Sequence, residues 1–161
     1  MRKHLTPKKI SIAVLTILIV MQLFRIDKKN PPVIAENDFL TLSGASPDVQ
    51  AIIKASCYDC HSNTSIYPWY SNVAPVSWWV KHHINEGREH LNFSEWGKYT
   101  AKKADHKLEE CVEMIQEGEM PMSSYTLVHR ESKLSEEQKL MLVNWFSSLR
   151  KPDTEKPEEE D

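Results

Sequence analysis

Cys57 and Cys60 are separated by two residues and His61 follows at once, in the run Ser56-Cys57-Tyr58-Asp59-Cys60-His61. On a helix this spacing puts the thiols on adjacent turns, a separation that matches the two vinyl groups of a haem. Each thiol can then close a thioether, and the histidine is presented to the iron from one face of the ring. Read this way, Cys57 and Cys60 attach one haem c covalently and His61 is its proximal ligand. Two other chemistries use such a pair. A tetrahedral zinc site needs further ligands, yet the third cysteine, Cys111, stands alone and there is no second C-x-x-C. A thioredoxin-like dithiol belongs to an alternating strand and helix pattern, and none is visible.

A six-coordinate iron needs a second axial ligand. Met120-Pro121 follows Gly118-Glu119, and a methionine on a proline-stiffened loop can hold its sulfur steadily toward an iron, so Met120 is the expected sixth ligand. Met122 and the histidines His82, His83, His90, His106 and His129 compete, with His83 and His129 foremost, and a vacant sixth position is the remaining alternative.

These residues require helices to position them. Ser46-Pro47 reads as an N-cap and first helical residue, and Val49, Ile52, Ile53 and Ser56 then recur on one face that delivers Cys57 and Cys60 at the helix end. Pro75 starts a helix expected to run to about Glu86 and to end near Gly87. Leu108, Cys111, Val112 and Ile115 mark a third helix with Gly118 as its stop, and place Cys111 as a small buried hydrophobe. Ser135-Glu136-Glu137-Gln138 is a capping box ahead of Leu142, Trp145, Phe146 and Leu149. The first and last of these helices are expected to pack on each other. Trp69, Tyr70, Trp78 and Trp79 suit the wall of a haem pocket, or equally an ordinary core. The fold class is all-α, a small helical domain.

Ahead of that domain, Ile10 to Phe24 is interrupted only by Ser11, Thr16 and Gln22, and follows a basic start. Its length lies between a signal-peptide core and the ~20 residues of a full span. The bulky run Met21-Gln22-Leu23-Phe24-Arg25 is a poor cleavage site, so the stretch reads as an uncleaved transmembrane signal anchor, extended by Leu5 and Ile26. The chain then divides into a basic end and signal-anchor helix (1–26), a spacer (27–45) whose apolar residues Val33, Ile34, Phe39 and Leu40 can still pack on the domain, a haem-binding domain (46–150) and an acidic, disordered tail (151–161).

The chain carries a net charge of −3, but its first 29 residues hold seven Lys or Arg and one Asp. The remainder, with 13 basic and 22 acidic side chains, is acidic and has no phosphate-neutralising surface, which excludes a nucleic-acid partner. The basic end suits a membrane surface.

The order of N-terminal helix, C-x-x-C-H, loops, Met120 and C-terminal helix resembles the monohaem class I cytochromes c. The longer string, Cys57 to Thr64, Tyr67-Pro68-Trp69-Tyr70, Pro75-Val76-Ser77-Trp78-Trp79, His83, Glu86-Gly87-Arg88, Leu91 to Ser94, and Glu119-Met120-Pro121 with Tyr125 and His129, resembles the haem-binding domain family of membrane-anchored bacterial c-type cytochromes. That resemblance covers about residues 34 to 150. It implies that Asn63, Tyr67, Trp69, Trp78, His83 and Arg88 lie near the haem or brace its loop, with Arg88 a partner for a propionate. The expected function is haem binding and one-electron transfer with an unidentified redox protein, rather than enzymatic catalysis. The domain is expected on the periplasmic face of a bacterial inner membrane. The alternative is a haem sensor or small peroxidase with an open distal site, where His83 or His129 acts as acid or base.

Overall fold

The computed structural model describes residues 6–151. The expected character of the tail, beyond Lys151, and the contribution of Leu5 to the anchor lie outside the described residues. Helices and irregular segments account for all of the described chain, with no strand among those residues.

Helix α1 (Pro7–Met21) starts on a proline at its first turn, and its apolar side chains stand exposed along its length. At 1.5 Å per residue it is about 22 Å long. No helix among the described residues is long and apolar enough to cross a membrane.

The segment read as a spacer contributes to the domain. Asp38 caps the short helix α2 (Phe39–Ser43) by accepting from the Leu40 N–H at 3.0 Å, and Gly44 closes it in the left-handed conformation at φ 65°. Phe39 and Leu40 are buried in the core. Phe39 stacks on Phe93 at 5.0 Å between ring centroids and meets Trp96, Trp145 and Phe146 within 6.0 Å. An aromatic cluster of that kind buries enough apolar area to fix a five-residue helix that has no stability of its own.

Helix α3 (Pro47–Ser56) begins on the Ser46 cap and inserts Val49 and Ile53 into the core. The single turn α4 (Tyr58–His61) follows directly. Helix α5 (Val76–His90) runs past Gly87 for three more residues, a correction to the stop expected there. Glycine at 87 answers to packing: a Cβ on it would lie 2.8 Å from the Cys60 carbonyl oxygen, so only a bare backbone lets α5 lie this close to α4.

Helix α6 (Ala101–Glu117) does end on Gly118, at φ 75°. After the short α7 (Ser123–Thr126), helix α8 (Glu136–Leu149) carries both reciprocal bonds of its capping box. Helix α8 packs chiefly on α6, and only marginally on α3. Leu142 and Phe146 of α8 are fully buried beside Leu108 and Ile115 of α6. Arg150 closes the pair with ion pairs to Asp105 at 3.2 Å and Glu109 at 2.8 Å.

Candidate functional site

The C-x-x-C-H turn is gripped through the residues between its cysteines. Tyr58 is buried, stacks on Phe93 at 5.5 Å, and donates its hydroxyl to both carboxylate oxygens of Asp38, at 3.0 and 3.1 Å. Burial first, and then the Asp38 carboxylate, push the Tyr58 phenol well above its usual range. Asp59 binds in another direction: its side chain accepts from the Ile66 N–H at 3.0 Å and the Tyr125 hydroxyl at 2.7 Å, while its carbonyl accepts from Ser65. The two variable positions of the motif thus tie the turn to α2 and to the segment after Met120. Neither role is visible in the motif, because any residue satisfies an x.

His61 is held by α5. Its Nδ1 lies 2.9 Å from the Gly87 carbonyl and 3.1 Å from the Leu91 carbonyl. A carbonyl only accepts, so Nδ1 carries the proton and Nε2 keeps its lone pair. Burial holds the imidazole below its ordinary pKa, and these two bonds only partly oppose that. The ring sits edge-on to Phe93 at 6.5 Å. A neutral imidazole, oriented through Nδ1 with Nε2 available, is what an iron ligand requires.

Burial pushes the Cys57 thiol up to about 12, with the charge of Cys60 adding to it, and pushes Cys60 up to about 11, raised further by Asp59 and lowered by Arg88. Both thiols are therefore neutral in an apolar setting. Cys111 packs against the core, and its thiol is also raised, mainly by burial. Among the described residues, no cluster of His, Cys, Asp and Glu side chains is placed to hold a bare metal ion. The donor set of two neutral thiols and one oriented imidazole fits a haem.

The loop after His61 is heavily braced. Ser62 Oγ donates to the Tyr58 carbonyl at 2.7 Å. The Asn63 N–H donates to Ser94 Oγ at 3.0 Å; its amide donates to the Pro32 carbonyl at 3.1 Å and accepts from Asn92 at 2.9 Å. Arg88 donates from Nε to the Ser62 carbonyl at 2.7 Å, and from Nη2 to Asn30 Oδ1 at 2.7 Å and Ser65 Oγ at 2.8 Å. Asn63 and Arg88 therefore hold the loop's backbone.

The remaining candidates are more scattered. Tyr67 accepts from Lys81 at 3.3 Å. Trp69 is 77% exposed. Trp78 is about one-third exposed and donates its indole N–H to the Phe24 carbonyl at 2.8 Å. His83 Nδ1 donates to the Trp79 carbonyl at 2.8 Å, and the two rings lie 4.1 Å apart. Met120 is partly buried, and its N–H donates to the Met114 carbonyl at 3.1 Å. The segment that follows Met120 is tied to the motif by Tyr125 and Asp59, and to α3 by Ser132 Oγ and the Ala55 carbonyl at 2.6 Å. His129 lies in the same segment, with Nε2 2.7 Å from the Tyr70 hydroxyl and its ring stacked on Tyr125 at 4.4 Å.

Fold and site together define a small all-helical domain that presents a braced C-x-x-C-H turn. Residues 16–148 match the model of a haem-binding domain family, and the chain belongs to that family. No curated protein and no solved structure matches the chain.

Proposed function

We propose that this protein is a monohaem c-type cytochrome, anchored in a membrane by α1, that passes single electrons to and from a redox partner. The observation that carries this reading is the double hydrogen bond from His61 Nδ1 to the Gly87 and Leu91 carbonyls, on the same turn as Cys57 and Cys60. Cys57 and Cys60 would hold the haem through thioethers, His61 would ligate the iron through Nε2, and Met120 is the proposed sixth ligand. When bound, the haem supplies a one-electron ferrous and ferric couple. The chain's own residues fix the imidazole, bury the thiols and brace the loop from Ser62 to Ser65. With His61 and Met120 both given to the iron, no coordination site would be left for a substrate, so the reading is a carrier rather than an enzyme.

The test is expression in a bacterial host that carries the haem-attachment machinery, followed by intact mass and optical spectra. A mass gain of one haem that disappears in Cys57→Ala with Cys60→Ala supports covalent attachment; a colourless protein with only its polypeptide mass overturns it. Met120→Ala should abolish the sulfur-to-iron charge-transfer band of the oxidised protein. An unchanged spectrum would transfer the sixth position to His83, His129 or another residue. Rapid binding of carbon monoxide would instead favour a sensor or small peroxidase, with the His129 and Tyr70 pair as the acid-base group.

A further inference from the structure

The joint between α1 and the domain is fixed. The Gln22 side chain donates to the Ala74 carbonyl at 3.0 Å and accepts from the Ala74 N–H at 3.0 Å, and its amide also donates to the Leu18 carbonyl at 2.8 Å. Two residues on, the Phe24 carbonyl accepts from the Trp78 indole at 2.8 Å. The last turn of α1 is thereby seated on the entry to α5. Around this joint, apolar side chains stand open: Leu23 and Phe24 on one side, Val73, Val76, Trp78 and Trp79 on the other.

Charge around the joint is one-sided. The domain is acidic as a whole, yet no carboxylate occurs between Asp59 and Glu86, and Arg25, Lys28 and Lys29 follow directly on α1 with Asp27 as the single acid among them. Helix α1 is also too short by itself, at about 22 Å against a hydrocarbon layer of about 30 Å. A short span is accommodated by drawing flanking side chains into the interfacial layer, where tryptophan is at home and basic residues meet anionic headgroups. Gln22 suits that depth because the Ala74 backbone satisfies both ends of its amide.

From this we infer that the face formed by Val73, Val76, Trp78 and Trp79 with Leu23 and Phe24 lies in the headgroup layer of the bilayer that holds α1, docking the domain flat on the lipid surface. The inference rests on the reading of α1 as a membrane anchor and adds a second lipid contact to it. Its occupant is a bilayer surface containing anionic lipid.

The test uses the full-length holoprotein in vesicles of phosphatidylcholine with a minority of phosphatidylglycerol, doped with a lipid that carries a photoactivatable diazirine near its headgroup. After illumination, labelled peptides are located by mass spectrometry. Labelling of α1 and of residues 73–81, with α8 unlabelled, is the expected result. Labelling of α1 without residues 73–81 overturns the docking and leaves the anchor standing, whereas labelling of neither overturns both. The double substitution Val73→Glu, Val76→Glu places two carboxylates on exposed positions, one of them in the first turn of α5, where acids are favourable. It should keep the far-UV spectrum and α1 labelling and lose labelling over 73–81; persistence of that labelling also overturns the docking.

Discussion

Gly87 of helix α5 and Cys60 of the C-x-x-C-H turn meet backbone to backbone, so closely that a Cβ on Gly87 would stand 2.8 Å from the Cys60 carbonyl oxygen and 3.3 Å from the Cys60 Cβ. Replacing a helical glycine by alanine ordinarily gains about 1 kcal/mol of helix propensity. Here the obstacle is main chain, which cannot rotate away, and overpacking of that kind costs about 1–3 kcal/mol. Gly87→Ala is therefore expected to be net destabilising by about 1 kcal/mol, read from the urea midpoint. Because the Gly87 and Leu91 carbonyls hold His61, the same substitution should also lower the yield of haem-loaded protein.

Tyr125→Phe removes the hydroxyl that donates to Asp59 Oδ2 at 2.7 Å. Burial, and then that bond, raise the phenol well above its usual range, so the group is a donor throughout the accessible pH range. A hydrogen bond to a charged group is worth about 1.5–3 kcal/mol, and Asp59 keeps the Ile66 N–H as a partner. A loss near the lower end of that range is expected by denaturation. Faster proteolysis between Met120 and Arg130 should accompany it, since this bond ties the segment to the turn.

The thiols give an alkaline signature in the haem-free chain. With Cys57 at about 12 and Cys60 at about 11, the thiolate fraction at pH 8 lies roughly 10²–10³ below that of an unfolded cysteine. The greater basicity returns only part of this. Alkylation by iodoacetamide in the folded chain should be at least tenfold slower than in urea. The unfolded thiols release their protons first, so the stability they contribute is present below about pH 8.5 and is lost as pH rises toward 11–12.

His61 acts on the acid side. Burial holds its folded pKa below the ordinary value, so below about pH 6.5 the unfolded chain takes up a proton that the native chain refuses. Stability of the haem-free chain should fall as pH drops below that point, by at most about 1.4 kcal/mol per pH unit, levelling off where native His61 protonates. Urea midpoints at pH 7.5 and 5.5 measure it, and His61→Gln should flatten the dependence.

Elements with local end signals were legible in the residues. The Ser46-Pro47 start, the Gly118 stop and the Ser135 capping box are each written within a few neighbouring positions, and α3, α6 and α8 begin or end on them. What was not legible depends on distant partners. Gly87 carries the signature of a helix stop, yet it serves a contact with Cys60, 27 positions away. Phe39 and Leu40 lack any sustained period; their apolar side chains mark them as able to pack on the domain, but the ring cluster of Phe93, Trp96 and Phe146 that receives Phe39 appears only in three dimensions. The Trp78 indole N–H bonds to the Phe24 carbonyl, 54 positions away, a contact that no local signal announces. Tyr58 and Asp59 occupy positions the motif leaves unspecified, so their bonds to Asp38 and Tyr125 appear only in three dimensions.

The chain between α1 and the motif loop is hydrogen-bonded at Gln22, Phe24, Lys28, Asn30 and Pro32. A leash pinned at so many points has no slack to pay out. On the proposed reading as an anchored electron carrier, reach is the consequence: the domain would not swing between a distant donor and acceptor, and whatever exchanged electrons with it would have to come to where it stands.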